Sequence, residues 1–411
     1  MMTTTNIGGL YVGRLLVGAS NGLYTTFAQV YIQECSPPRY RGLLIGLYST
    51  WASAGILVGS IVDNYTKALP GIHAYLIPLG IVYIIPGFLS ISLFLIPESP
   101  RWLLQHEKAA KARKSVEWLN PYPELVNQEI SIIQATLDSE SNLAQSTEIV
   151  DMWKNPVDRR RTLLSVGAVT LLAATGSMYM LMYSTYFFEM AKIGSPFENT
   201  CIYTGIGVLA TIINNMVITR FGRRRVMLMT GMVCCGICQL VLASTYTASP
   251  GTTTTGKVIV AFAVLQIVSF NGMLSTYALL CGGEFPSQRL RSYTLGIASC
   301  VTFLGAWLTT FTAPYFINPD ALNWGPKYGY IWFPICLVGA AWAWLYLPEV
   351  KGRSFEEIDE MFEAHVPSRK FRGYRCVGIA SVALVGEEEK TKDEAQVSHE
   401  EVGSCEEKIV G

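Results

Sequence analysis

The sequence predicts an all-α protein that crosses a membrane several times. Of the 411 residues, 50% are hydrophobic and only 15% are charged, whereas a soluble domain carries about 25% charged residues. A helix that crosses a bilayer core needs roughly 20 consecutive apolar residues. A β-barrel would instead alternate apolar and polar residues, and buried strands would be shorter. Nine suitable runs lie at about 9–32, 43–62, 75–96, 162–188, 200–219, 226–244, 258–281, 293–316 and 329–347.

Basic residues between the runs predict the orientation. Loops with several Lys or Arg residues alternate with loops that carry a single lysine, and residues 97–161 alone hold nine basic residues. Cytoplasmic loops of membrane proteins are enriched in Lys and Arg. We therefore expect an external N-terminus, a cytoplasmic C-terminus and a multi-pass location, with the plasma membrane as the expected site.

The same pattern predicts four regions. Residues 1–96 contain three spans, and residues 97–161 form a cytoplasmic loop with short helices. Residues 162–347 form a bundle of six spans. Residues 348–411 form a cytoplasmic tail that we expect to be largely disordered, because its end is highly charged ("EEEKTKDEAQ") and too polar to bury a core.

Two pairs of motifs reveal an internal repeat. "ECSPPRYRG" begins at Glu34 and "EFPSQRLRS" begins at Glu284, 250 positions later. "PESPRW" after the third run corresponds to "PEVKGR" after the ninth. Spans one to three thus correspond to spans seven to nine, as in transporters built from two six-helix halves. We expect a 6+6 architecture that lacks its first three helices.

These motifs carry a family resemblance. "GRLLVGASNGL", "ECSPPRYRG", "PESPRW", "RFGRRR", "GEFPSQRLRS" and "PEVKGRSFEEIDEMFE" resemble those of the sugar porters of the major facilitator superfamily. "APYFINPDALNWGPKYGYIW" resembles the fungal α-glucoside (maltose permease-like) branch. The resemblance implies the major facilitator fold and alternating-access transport of a sugar or sugar-like molecule, by uniport or proton symport. We expect a monomer in the lipid bilayer, with no enzymatic activity, cofactor, metal site or nucleic-acid partner.

The resemblance also implies a network of charged residues at the cytoplasmic edge. In this family the arginines of the loop corresponding to "RFGRRR" pair with the acid at the end of a later helix, which places Arg223 and Arg224 near Glu284 and Arg291. Charged clusters of this kind bias the equilibrium between two transporter conformations. The predicted gating network comprises Glu34, Arg41, Glu98, Arg101, Arg220, Arg223, Arg224, Glu284, Arg291, Glu349 and Arg353.

Arg14 is the basic residue that lies inside a predicted span. Charges within a membrane are costly and usually face a cavity or a partner. In proton-coupled members of the family this arginine partners an aspartate in the first helix, so Arg14 is a candidate coupling residue. Alternatively, its side chain extends to the outer interface. Both interpretations stay open, and with them the question of proton coupling.

The candidate substrate site departs from the family pattern. The fourth run resembles the sugar-binding helix, but the paired glutamine positions fall on Leu172 and Ala173, which offer no hydrogen-bonding group. A non-sugar substrate (a polyol, a cyclic acid or a secondary metabolite), a non-transporting sensor and a degenerate truncated transporter therefore remain alternatives. The polar and aromatic candidates for substrate contact are Ser49, Ser177, Tyr179, Tyr183, Asn271, Ser275 and Tyr277.

Overall fold

The computed structural model describes residues 6–35, 38–120, 126–144, 149–218, 223–351, 353, 355–374 and 376. These residues form helices joined by short turns, and they contain no β-strand. Within the described chain, six helical segments are long and apolar enough to cross a membrane. These segments are His73–Ser92, Pro156–Ala191, Arg224–Ala248, Thr253–Glu284, Arg291–Ile317 and Gly325–Tyr346.

The first predicted spans form two long helices and one interrupted helix. The interruption divides the third predicted run at Val82 and Tyr83. Because Pro86 has no backbone N–H, it cannot bond to the carbonyl of Val82, and it lies in the first turn of a new helix, where proline is tolerated. The four helices are α1 (Ile7–Cys35), α2 (Pro38–Thr66), α3 (His73–Ile81) and α4 (Ile84–Ser92).

Short helices connect these spans to the second group. Ser99 caps the first of them, since its Oγ accepts a hydrogen bond of 3.3 Å from the backbone amide of Trp102, and Pro100 occupies the first helical position. Both features are favoured at helix N-termini. The short helices are α5 (Pro100–Gln105), α6 (Ala109–Leu119), α7 (Val126–Ala144) and α8 (Asp151–Lys154).

The helices from residue 156 to residue 346 pack as a bundle. Its core contains fully buried side chains such as Phe188, Tyr277 and Leu274. The helices are α9 (Pro156–Ala174), α10 (Ser177–Ala191), α11 (Pro196–Ile218), α12 (Arg224–Ala248), α13 (Thr253–Ser269), α14 (Ser275–Glu284), α15 (Arg291–Ile317) and α16 (Gly329–Tyr346). Helix α11 also packs along α2 and joins the bundle to the first group.

Two local departures interrupt the apolar helices of this bundle. Gly176 separates α9 from α10 with φ +68°, and a Cβ at this position would lie 2.6 Å from Cγ of Trp332. Glycine alone fits this left-handed position without strain. Phe270–Leu274 forms a π-helix between α13 and α14, a feature that is frequent at functional sites.

The end of the described chain folds back onto the bundle. Helix α17 (Phe355–Glu363) precedes a 3-10 helix at Ser368–Gly373. Phe371 is fully buried against Phe362, with ring centroids 5.1 Å apart. Ile358, Met361 and Phe362 give α17 a buried face. Residues 355–374 therefore form helices that pack on the bundle, in a region for which the sequence predicts a largely disordered tail. Residues 377–411 lie outside the described residues.

Candidate functional site

A bidentate ion pair joins the start of α12 to the end of α14. Nε and Nη2 of Arg224 donate to Oε2 and Oε1 of Glu284 at 3.1 and 2.7 Å. The two side chains are only 15% and 18% exposed. Bidentate pairs of this kind are stronger than neutral hydrogen bonds, and partial burial protects them from screening by salt.

Glu349 connects the end of α16 to the same helix terminus. Its carboxylate accepts hydrogen bonds from the backbone amides of Arg224 and Arg225 at 3.1 and 3.2 Å. The first amides of a helix have no partner within the helix, and a negative charge is favourable there. Glu349 therefore fixes the end of α16 against the start of α12.

A second set of ion pairs lies at the N-terminal end of α9. Arg161 is 4% exposed, and its Nη2 lies 2.5 Å from Oδ1 of Asp359 on α17. Its Nε donates to the carbonyl of Phe285 at 2.7 Å. Nη2 of Arg289 donates to Oδ2 of Asp158 at 2.5 Å. These contacts tie α9 to α17 and to the turn that follows α14.

Sequence reasoning did not identify Asp158, Arg161, Arg289 or Asp359. The partners are far apart in the chain, so spacing does not reveal them. One available signal was the group of charged residues at Asp158 to Arg161 directly before an apolar helix. We interpreted that group only as part of a basic loop.

The remaining predicted network residues of this half lie around the same end. Arg291 begins α15, close enough to Asp359, Arg161 and Glu284 for electrostatic interaction. Arg353 donates to Oε1 of Glu357 at 3.0 Å and to the carbonyl of Tyr374 at 2.7 Å. Arg223 is exposed at the N-cap of α12, and we observe no contact between its side chain and Glu284 among the described residues.

For the first half, the backbone repeats the pattern of the second. Helix α1 ends one residue after Glu34, and α14 ends at Glu284. Arg41 lies in the first turn of α2, and Arg291 begins α15. The side chains of Glu34 and Arg41, and the whole of Arg220, lie outside the described parts of the chain.

Three other predicted charged residues occupy separate places. Glu98 is exposed, and its carbonyl accepts a hydrogen bond of 2.6 Å from Oγ of Ser115. Arg101 is half-buried in α5. Arg14 is exposed, two turns into α1. The structure therefore does not bring these three residues into the cluster around Arg224.

The predicted substrate residues of α10 are divided between two environments. Tyr179 is 1% exposed, and its hydroxyl donates to Oε1 of Gln239. Ser177 is also 1% exposed, and its Oγ accepts a hydrogen bond of 3.0 Å from Thr175. Tyr183 is half-buried, and its backbone leaves the helical conformation (φ −113°, ψ 15°). Its side chain packs against the edge of the same core, and its hydroxyl donates to the carbonyl of Thr310 at 3.4 Å.

Other candidates lie beside the π-helix or along α2. Asn271 is half-buried, and its Nδ2 donates to the carbonyl of Gly207 at 3.0 Å. Ser275 and Ser49 are half-buried as well. Tyr277 is fully buried, and its hydroxyl has no hydrogen-bond partner among the described residues. Of these four residues, the half-buried Asn271, Ser275 and Ser49 are the ones that solvent or a ligand can reach.

Comparison with known proteins adds independent information. A family model described as "Sugar (and other) transporter" matches residues 1–362. Maltose permease MAL61 of Saccharomyces cerevisiae is 28% identical over 400 residues, which cover 94% of this chain and 64% of the permease. The general alpha-glucoside permease of S. cerevisiae strain CEN.PK113-7D is 30% identical, over 88% of this chain and 59% of the permease. The chain thus spans less than two thirds of the length of these relatives.

The fold of the chain is also similar to that of a solved structure. The inward-open xylose transporter XylE of E. coli matches with a TM-score of 0.63 at 20% identity. The match covers 82% of this chain and 70% of XylE.

Proposed function

Since the chain belongs to the family of sugar (and other) transporters and has the all-helical fold of the major facilitator protein XylE, we propose that it moves a sugar or sugar-like molecule across a membrane. The mechanism is alternating access, as uniport or with a proton. The family match over residues 1–362 carries this proposal. The names of the relatives, a maltose permease and an alpha-glucoside permease, favour a sugar among the substrate classes.

The proposed topology has nine spans. Six are the long apolar helical segments described above. The others are α1, α2 and α11, which contain 29, 29 and 23 residues. At 1.5 Å per residue these helices exceed a hydrocarbon core of about 30 Å. The multi-basic loops support a cytoplasmic C-terminus, and we propose a monomer in the plasma membrane with the regions 1–96, 97–161, 162–347 and 348–411.

We assign the charge network to a gate at the cytoplasmic end. Arg224, Glu284 and Glu349 connect three helices of the bundle at one level. A motion that separates α12 from α14 or α16 has to break these contacts, so they favour the conformation in which this end is closed. By the repeat, Glu34 and Arg41 take the corresponding place in the first half.

The proposed substrate contacts are the half-buried polar residues. Tyr183, Ser275, Asn271 and Ser49 have accessible side chains, as binding groups need. Tyr179 is enclosed by Tyr328 and Trp332, with ring centroids 4.8 and 6.0 Å away. We assign Tyr179, Ser177 and Tyr277 the role of supporting the site from within the bundle.

Uptake by cells that lack their own sugar transporters tests the proposal. We expect labelled maltose or glucose to enter saturably, and a labelled cyclic polyol serves as the non-sugar probe. Tyr183→Phe and Ser275→Ala should raise KM about threefold to tenfold, because one hydrogen bond contributes about 1 kcal/mol. Tyr315→Phe on α15, at a side chain that is 59% exposed and outside the proposed site, is the matched control and should leave KM unchanged. Absence of maltose and glucose uptake by cells that display the chain at their surface would contradict the proposal.

A further inference from the structure

Two arginines converge on one tryptophan at the membrane end of α16. The guanidinium of Arg369 lies over the ring of Trp344 with its carbon 4.4 Å from the ring centroid. Arg225 donates from Nη2 to the backbone carbonyl of Trp344. The two guanidinium groups are close enough to repel each other. This arrangement holds two like charges together at the point where an apolar helix ends.

The surroundings place these charges at a lipid surface. Trp344 lies two residues before the end of α16 and is 50% exposed, and Tyr346 is 57% exposed. Half-exposed Trp and Tyr side chains at the end of a span are typical of the membrane interface. Arg369 therefore lies at the height of the lipid headgroups and not far out in solution.

A cleft opens beside Arg369. It has a volume of about 540 Å³, and Arg369 and Lys370 line it beside His365. Among the described residues that line the cleft, none is acidic. A volume of this size accommodates a compact polar group such as a phosphorylated headgroup. The cleft and the two arginines at Trp344 share Arg369 and form one continuous basic surface.

Three nearby carboxylates are engaged in other contacts. Glu349 interacts with Arg225, but its oxygens accept the amides of α12 described above. On α17, Asp359 pairs with Arg161 and Glu357 pairs with Arg353. The surface formed by Arg225, Arg369, Lys370 and the exposed Arg372, which we call the basic rim, carries four positive charges. It therefore keeps a net positive charge beside the exposed carboxylate of Glu363.

We propose that the basic rim binds the phosphate-bearing headgroup of an anionic membrane phospholipid. Arginine guanidinium groups match phosphate oxygens in bidentate geometry. A phosphate between Arg225 and Arg369 replaces their repulsion with attraction. Basic clusters next to the cytoplasmic end of a span attract anionic lipids in this way. The inference does not depend on the substrate or on transport itself.

Lipid binding can be measured on the purified full chain in detergent. The probe is a fluorescent short-chain phosphatidylinositol bisphosphate, followed by anisotropy, with short-chain phosphatidylcholine and free inositol trisphosphate as competitors. We expect the anionic lipid to bind at least tenfold more tightly than phosphatidylcholine. The double variant Arg369→Gln/Lys370→Gln should weaken its binding about 10- to 30-fold, since each basic residue near a surface contributes about a factor of five.

The control removes two charges from another exposed surface. Lys111→Gln/Lys114→Gln on α6 should leave the affinity within twofold, and the melting temperature of each variant reports whether it is folded. If the Arg369/Lys370 variant is unfolded, the test is the salt dependence of the wild-type chain. A tenfold increase in salt concentration should then weaken the binding of the anionic lipid about 10- to 30-fold. Equal affinity for phosphatidylcholine, or equal weakening by the control, would overturn the proposal. Competition by inositol trisphosphate as strong as by the lipid would indicate a soluble anion and overturn it too.

Discussion

The pair of Arg224 and Glu284 offers a quantitative test of the charge network. Loss of one partner from a buried pair costs about 3–5 kcal/mol, whereas exposed pairs contribute about 0–1 kcal/mol. With side chains 15% and 18% exposed and two hydrogen bonds between them, this pair lies between these limits. We expect a coupling energy of about 2 kcal/mol in a double-mutant cycle of Arg224→Ala and Glu284→Ala.

The assay is unfolding of the purified chain in detergent micelles, with a denaturant series for each variant. The pair of Arg113 and Glu117 on α6 is the matched control, because it joins the same residue types at 3.0 Å with side chains 58% and 49% exposed. Its coupling energy should stay below about 0.5 kcal/mol. A coupling energy for Arg224 and Glu284 no larger than that of the control pair would show that partial burial does not strengthen this ion pair.

Two further substitutions test how the bundle is held together. Arg161→Met removes a charge that is 4% exposed and paired with Asp359, so it should lower the free energy of unfolding by about 3–5 kcal/mol. Arg159→Met at an exposed position is the control and should change the free energy of unfolding by about 0.5 kcal/mol or less. The melting temperatures of the two variants test this difference. Gly176→Ala should lower the melting temperature more than Gly71→Ala does. Both glycines have φ near +69°, but only at Gly176 would the new Cβ meet another side chain, so equal losses would rule out the predicted clash.

Much of the fold could be predicted because it depends on local pattern. Apolar runs of sufficient length marked the long helices, and in the described residues each run coincides with one long helix or with consecutive helices. The interruptions were not predicted. The break before Pro86 and the left-handed turn at Gly176 depend on single residues, and Gly and Pro also occur within uninterrupted membrane helices.

The site was predicted unevenly for a similar reason. The family resemblance placed Arg224 near Glu284, and the structure brings these two side chains into contact. The contact of Arg161 with Asp359 joins residues of two distant segments, and only the tertiary structure brings them together. Tyr179 and Tyr183 were both candidates for substrate contact, but Tyr179 is buried and Tyr183 is half-buried beside a kink in α10. Periodicity alone could not show which face of α10 is buried.

Transport by the purified chain tests the proposed function without the contributions of a cell. The chain is reconstituted into vesicles loaded with unlabelled maltose or glucose, and the entry of labelled sugar is followed as counterflow. If the chain transports sugar by alternating access, labelled sugar should accumulate saturably, and excess unlabelled sugar outside the vesicles should abolish the accumulation. Entry of both sugars at the rate of protein-free vesicles, with a reconstituted protein whose helical content and melting transition are intact, would contradict this prediction.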